Sequence, residues 1–260
     1  MRRVRVEPYV TVRLRLREAA RRSPSGAVAF DGDGTLWSGD VGEDFLEALL
    51  AEDAFSAEAA ELFRTDAAGF NVPARGGAKA QLEAIFEAYG HGRFPEDRIC
   101  ELIALAVAGR ATAEIDAFST HLVETRGLAA RLHGESVALL DEARGLGLEA
   151  FLVSASPRPI VIAGARLVGI DPDHVIAATA YAAGGLSTRE IDAPIPYGPG
   201  KVARLRRVIG ARPLVLAAGD NVFDLAMLAE ATVPVAIRPK QRLLVRAGEL
   251  PALVAVEPAA

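Results

Sequence analysis

Four short apolar runs constrain this chain more than any other feature: GAVAF (26–30), LEAFLV (148–153), PLVLAA (213–218) and VPVAI (233–237). The first three end on Asp31, Ser154 and Gly219-Asp220, and Pro234 makes the fourth the weakest. Helix-like stretches at 135–144, 160–168, 201–209 and 223–229 separate or follow them. Short apolar strands alternating with helices predict a Rossmann-like parallel sheet covered by helices on both faces, an α/β fold. In such sheets ligands bind beyond the carboxyl ends of the strands. Asp31, Ser154 and Asp220 all fall there, each just after its own strand.

Residues 37–131 read differently. EDFLEALLAED, AKAQLEAIFEAYG and EDRICELIALAVAGRATAEIDAFSTHLV are helical in pattern, with little strand signal. The expectation is an inserted all-helical cap of four to six helices over 37–131, on a core made of 1–36 and 132–260. Trp37 is expected at the core–cap hinge or on the substrate pocket. The arginine-rich opening, MRRVRVEPYVTVRLRLREAARR, suits a strand by its Val10, Val12, Leu14, Leu16 alternation and a helix by its later half. It is expected to pack on the main domain. Gly184-Gly185 predicts a hairpin turn, and the tail after Lys240 an edge element or a frayed end.

The 260 residues carry a formal net charge of -5, so nothing global attracts nucleic acid or an anionic membrane. Cys100 is the only cysteine, which removes intrachain disulfides and cysteine zinc sites and suits a cytoplasmic setting. His91, His121, His133 and His174 have no metal-ligand spacing.

Asp31 and Asp33, one residue apart after a buried strand, suffer desolvation and mutual repulsion unless a cation compensates. Mg2+ prefers oxygen ligands and takes one or two carboxylates with waters and substrate phosphate. Asp220 completes a cluster from another strand end. The Ser154 hydroxyl suits a phosphate oxygen, and Lys201, after Gly198-Pro199-Gly200, supplies a point charge. An aspartate can attack phosphorus as a nucleophile, and a second carboxylate in the same turn can protonate the leaving oxygen. A calcium loop of the EF-hand type is excluded, because its sixth and twelfth positions fall on Leu36 and Gly42.

FDGDGTLW (30–37), FLVSAS (151–156), GPGKVARL with Lys201, and GDNVFDLAML (219–228) stand in the order of a known motif set. The sequence resembles the haloacid dehalogenase-like hydrolase superfamily, in its phosphoserine-phosphatase-like branch. That resemblance implies Asp31 as nucleophile and Asp33 as general acid/base. It implies Mg2+ held by the Asp31 side chain, the Asp33 backbone carbonyl and Asp220. Ser154 and Lys201 would bind the phosphoryl group, with Thr35 bracing the same loop at the phosphate. Asp224 and Asn221 would form the surrounding shell, Asp224 orienting Lys201 or a metal-bound water. An aspartate at position 33 favours phosphate esters over halides, since an alkoxide leaving group needs a proton and a halide does not.

The implied activity is hydrolysis of a small phosphorylated metabolite, an amine-bearing ester such as phosphoserine being one candidate. A phosphotransferase with the same chemistry and a non-catalytic binding protein are the alternatives. The second motif reads Ser-Ala-Ser-Pro where phosphoserine phosphatases carry Ser-Gly-Gly. Asp40 and Glu43 are candidates to read the substrate, Asp40 through an ammonium group. The ordinary alternative is an N-cap at Asp40 with Glu43 in the capping-box position. Ser156 is either a second phosphate contact or a helix N-cap before Pro157. In the insertion, Arg64, Arg75, Lys79 and Arg110 are candidate anion contacts against the ordinary reading of solvated charge.

Overall fold

A computed structural model describes residues 4–53, 55–73 and 75–258. Its main sheet is built from β1 (Arg5–Glu7), β2 (Ala27–Phe30), β3 (Glu149–Pro157), β4 (Val175–Ala178), β7 (Leu214–Gly219), β8 (Val233–Ala236) and β9 (Val254–Val256). These seven strands take the order β1-β9-β8-β7-β2-β3-β4, and every neighbouring pair is parallel. The expected α/β sheet is thus present, with β2 between β3 and β7.

The AVAF run shows why the sheet needs cover on both sides. Successive strand side chains point to opposite faces. Val28 and Phe30 join one buried cluster, and Ala27 and Ala29 join the other. The first cluster also takes residues of α1 (Tyr9–Arg22), α7 (Gly134–Gly145) and α8 (Arg158–Leu167). The second takes residues of α9 (Pro199–Ile209), α10 (Leu225–Glu230) and α11 (Gln241–Arg246). Pro234 is tolerated in β8, because the register with β9 begins only at Val235.

Between β2 and α7 lie five α-helices among the described residues. They are α2 (Val41–Glu52), α3 (Ala57–Gly69), α4 (Ala78–Gly90), α5 (Glu96–Leu105) and α6 (Thr112–Thr125). α2 and α5 pack on β3, and α6 packs on α8. The hairpin expected at Gly184-Gly185 forms from β5 (Ala180–Ala183) and β6 (Leu186–Ile191), which pair antiparallel. It touches α5 and α3, and Gly109 N donates to Ser187 O at 2.8 Å. The helical insertion is therefore fastened both to the sheet and to this hairpin. Trp37, at its start, is fully buried. Its ring lies where a Cβ on Gly164 of α8 would approach to 3.1 Å.

Three expectations change. The amphipathic opening is both a strand and a helix: β1 pairs with β9, and α1 follows after Pro8. The strand-like alternation of Val10 to Leu16 is helical, so Val12 and Leu16 are buried while Val10 and Leu14 are exposed. Arg2 and Arg3 lie outside the described residues. The tail is neither edge nor frayed at 254–256, since β9 lies between β8 and β1. Finally, Ser156 belongs to β3 rather than to a cap; Pro157 is the N-cap of α8.

The helical setting of α1 separates two leucines that an extended chain would place alike. Leu16→Ala is expected to cost about 2–5 kcal/mol in urea unfolding, the range for a buried leucine. Leu14→Ala should stay within about 0.5 kcal/mol. Equal effects would contradict the helix.

Candidate active site

The sheet brings the carboxyl ends of β2, β3, β7 and β8 close together. Asp31 N donates to Ala218 O at 2.9 Å, which levels the end of β2 with that of β7. Beyond these ends, Asp31, Lys201, Asp220 and Asp224 are all buried. Lys201, at the start of α9, reaches across with its Nζ 2.6 Å from Asp31 Oδ1 and 2.5 Å from Asp224 Oδ1. Asp224 Oδ2 accepts the backbone N–H of Asp220 at 3.0 Å and of Asn221 at 2.9 Å. The Asn221 side chain caps the turn that follows.

Charge is handled collectively in this group. Burial, then the Asp224 carboxylate, push Asp31 well above the ordinary carboxylate range against the pull of Lys201. Burial disfavours the Lys201 ammonium too, but Asp224 and Asp31 outweigh it and raise its pKa. Burial also lifts Asp220 to about 6, although Lys240 Nζ lies 2.9 Å from its Oδ2. Lys240 belongs to none of the four sequence motifs. It follows the end of β8, so the strand-end rule that singles out Asp31 and Asp220 also points to it.

Asp31, Asp220 and Asp224 each bring a carboxylate oxygen within 4.8 Å of the others. The donor set is all oxygen and suits a hard cation. Asp224 accepts three hydrogen bonds, from Lys201 and two backbone N–H groups, against two at Asp31, from Lys201 and Thr35, and the single Lys240 pairing at Asp220, so Asp31 and Asp220 keep the greater free capacity. The loop is shaped for close approach there. Gly34 has φ +83°, and a Cβ on it would lie 2.1 Å from Asp220 Oδ2. These residues fit one divalent cation of the Mg2+ type.

Asp33 faces away from that trio. Its Oδ1 accepts Trp37 Nε1–H at 2.8 Å and Val41 N–H at 2.7 Å. Its Oδ2 accepts the hydroxyls of Ser156 at 2.7 Å and Ser154 at 3.4 Å. Ser156 is thus a holder of Asp33. Ser154 lies at the same place, and its Oγ also accepts Ser156 N–H at 3.0 Å. Thr35 is fully buried; its hydroxyl donates to Asp31 Oδ2 at 3.0 Å, and it does not line the cavity. Ser136 Oγ donates to Thr35 O at 2.6 Å, fixing the loop from below.

A cavity of about 200 Å³ opens on Asp31, Asp33, Ser154, Lys201 and Asp220 and continues under the insertion. Asp40 and Glu43 line it. Asp40 also caps α2, accepting Glu43 N–H at 3.0 Å, so cap and cavity wall are the same residue. Burial and the Asp33 charge raise its pKa to about 7. Arg64, Arg75, Lys79 and Arg110 do not line this cavity, and neither does Trp37. Arg64 is paired with Glu61 in solvent, and Arg110 stacks over Phe118.

The geometry defines a parallel α/β protein with a buried cluster of carboxylates and a lysine at its strand ends that could hold a cation. The haloacid dehalogenase-like hydrolase family model matches residues 28–229, and the chain belongs to that family. No curated protein matches the sequence. Among solved structures, a functionally unknown protein from Anaerococcus prevotii DSM 20548 is 16% identical with TM-score 0.70, over 98% of this chain and 93% of that one. A protein of unknown function from Bordetella pertussis Tohama I is 22% identical with TM-score 0.66, over 90% and 99%. A phosphoserine phosphatase solved as a phospho-aspartyl intermediate analogue is 13% identical with TM-score 0.51, over 88% and 93%. At these identities the likeness is one of fold.

Asp40 gives a pH test. Its folded carboxyl keeps a proton that the unfolded one, at about 3.8, has released, up to a pKa of about 7. The folded state therefore loses stability as pH rises through that window. Asp40→Asn keeps the cap oxygen and removes the charge. It is expected to raise unfolding free energy at pH 8 by on the order of 1–3 kcal/mol, with a much smaller effect at pH 4. Equal effects at both pH values in urea unfolding would contradict this environment.

Proposed function

We propose that this chain is a Mg2+-dependent phosphatase that hydrolyses a small phosphomonoester through an aspartyl-phosphate on Asp31. The observation that carries the reading is the divergent setting of the two loop aspartates. Asp31 is buried against Lys201 beside Asp220. Asp33, two residues on, is turned toward serine hydroxyls and an indole N–H.

Asp31 and Asp220 would hold the metal by their side chains, with the Asp33 carbonyl as the further ligand the family resemblance implies. Bound there, a hard cation offsets negative charge on the phosphoryl oxygens. Lys201 supplies the second positive charge, held in place by Asp224. Ser154 adds a hydroxyl for a phosphoryl oxygen. Asp31 attacks phosphorus, and Asp33 gives its proton to the departing alkoxide. It then takes a proton from the water that cleaves the acyl phosphate.

The hydrogen bonds favour Oδ2 as the Asp33 oxygen that would carry that proton. Oδ1 meets two N–H groups, which only donate. Oδ2 meets hydroxyls, which can donate or accept. A proton on Oδ2 therefore keeps a partner when the Ser156 hydroxyl turns round.

The insertion at 37–131 acts as a cap that excludes water while the phosphoryl group is transferred. The partner is a small phosphorylated metabolite, and the single Cys100 accords with a cytoplasmic setting. No helix among the described residues is long and apolar enough to cross a membrane.

Asp31→Asn is expected to abolish turnover of p-nitrophenyl phosphate. EDTA should do the same to the unaltered protein, and there excess Mg2+ should restore it. Inorganic phosphate should appear in step with the phenol; phosphate passed to an added alcohol instead would show a transferase. Ser156→Ala is expected to lower kcat about tenfold to a hundredfold, the worth of one hydrogen bond to a charged group. Full activity in the Asp31 variant would overturn the mechanism.

A further inference from the structure

The cavity's aromatic wall has a chemistry of its own. Tyr89 on α4 and Tyr197 before α9 both line it, and the Glu96 carboxylate at the start of α5 lies with them. Burial first, and Glu96 next, raise both tyrosine pKa values, which puts the three groups within electrostatic reach of one another. Phe223 stacks on Tyr197 with ring centroids 4.4 Å apart and planes at 33°. Phe86 meets Tyr89 edge-on at 6.5 Å. Asp40 and Glu43 complete the acidic side at the start of α2.

The insertion therefore gives this lining three acidic side chains, of which Asp40 keeps its proton up to a pKa of about 7, and no lysine or arginine. The cations that line the cavity are Lys201 and Lys240, and both are paired with aspartates at the phosphoryl end. Arg242 approaches from outside, 3.4 Å from Glu96 and 5.8 Å from the Phe223 ring centroid, with its side chain 65% exposed. It does not line the cavity.

A leaving alcohol that bears a carboxylate meets like charge here and no free cation, which is an arrangement that rejects it. An ammonium meets acidic groups and aromatic side chains. Methyl groups on that nitrogen suit the rings, since a weakly hydrated cation over an aromatic face gains attraction at little desolvation cost. We infer that the substrate is the phosphate monoester of a carboxylate-free, N-methylated amino alcohol, its cation seated beside Glu96 and the rings of Tyr89 and Tyr197. This rests on the phosphatase reading, and it departs from the phosphoserine named for one of the solved structures of similar fold.

The test compares three esters with Mg2+ present: phosphocholine, 3,3-dimethylbutyl phosphate (its neutral isostere, carbon replacing nitrogen) and phosphoserine. kcat/KM is measured on the unaltered protein, and binding by calorimetry on the Asp31→Asn protein. Phosphocholine is expected to exceed the isostere at least tenfold and phosphoserine by more. Glu96→Gln and Tyr197→Leu, checked for folding by circular dichroism, should each reduce the phosphocholine-to-isostere ratio about fivefold or more. An isostere as good as phosphocholine, or a preference for phosphoserine, overturns the inference even if the variants fail to fold. If p-nitrophenyl phosphate is turned over without any preference among the three, this inference alone fails. If no ester is turned over, the phosphatase reading fails, and the calorimetric ratio still decides whether the wall selects a cation.

Discussion

The site depends on one buried ammonium. Lys201 stands between Asp31 and Asp224 and is a counter-charge to both. Without it, three carboxylates crowd one dry corner, and removing one member of a buried ionic group costs several kcal/mol because the others are left uncompensated. Its position follows from the fold. The end of β2 supplies Asp31, the turn after β7 supplies Asp220 and Asp224, and the start of α9 delivers the lysine. Asp224 then fixes the turn itself by accepting two backbone N–H groups, so the same carboxylate holds the lysine and the loop that carries Asp220.

Much of this is legible in the sequence because the apolar runs are short and end on polar residues. A four-residue run such as AVAF, buried on both faces, leaves its next residue at the sheet's carboxyl edge. That rule singles out Asp31 and Asp220 from the residues alone; Ser154, expected just past its strand, lies inside β3, which runs on to Pro157, and the motif order adds Lys201 and Asp224. The helical character of 41–125 is equally plain from its pattern. The opening segment is less so, because a two-residue alternation and a helical stripe coincide over 10–16. Only packing decides between them, and of the four apolar residues there it buries Val12 and Leu16 alone.

What the residues do not disclose is mostly orientation. Ser156 looks like a cap or a phosphate contact, yet the extra length of β3 turns its hydroxyl to Asp33. Asp40 poses a choice between cap and cavity wall, and its two roles prove compatible, since one oxygen caps α2 while the residue lines the cavity. The aromatic wall has no signature in the chain. Tyr89, Glu96, Tyr197 and Phe223 come from separate segments, and no spacing links them. They meet because α4 and α5 lie over the strand ends, where the loops before α9 and after β7 also arrive. The charged candidates in the insertion, such as Arg64 and Lys79, fall outside that wall, as solvated helix charges ordinarily do.

The most direct test of the account is the covalent intermediate. The protein with Mg2+ is mixed with excess p-nitrophenyl phosphate, quenched in acid within a single turnover, digested and examined by mass spectrometry. The account predicts one added phosphoryl group on the peptide that contains Asp31, at the Asp31 side chain, with Asp33 unmodified. Turnover of the ester with the phosphoryl group on another residue, or with no phosphorylated peptide at any quench time, would contradict it.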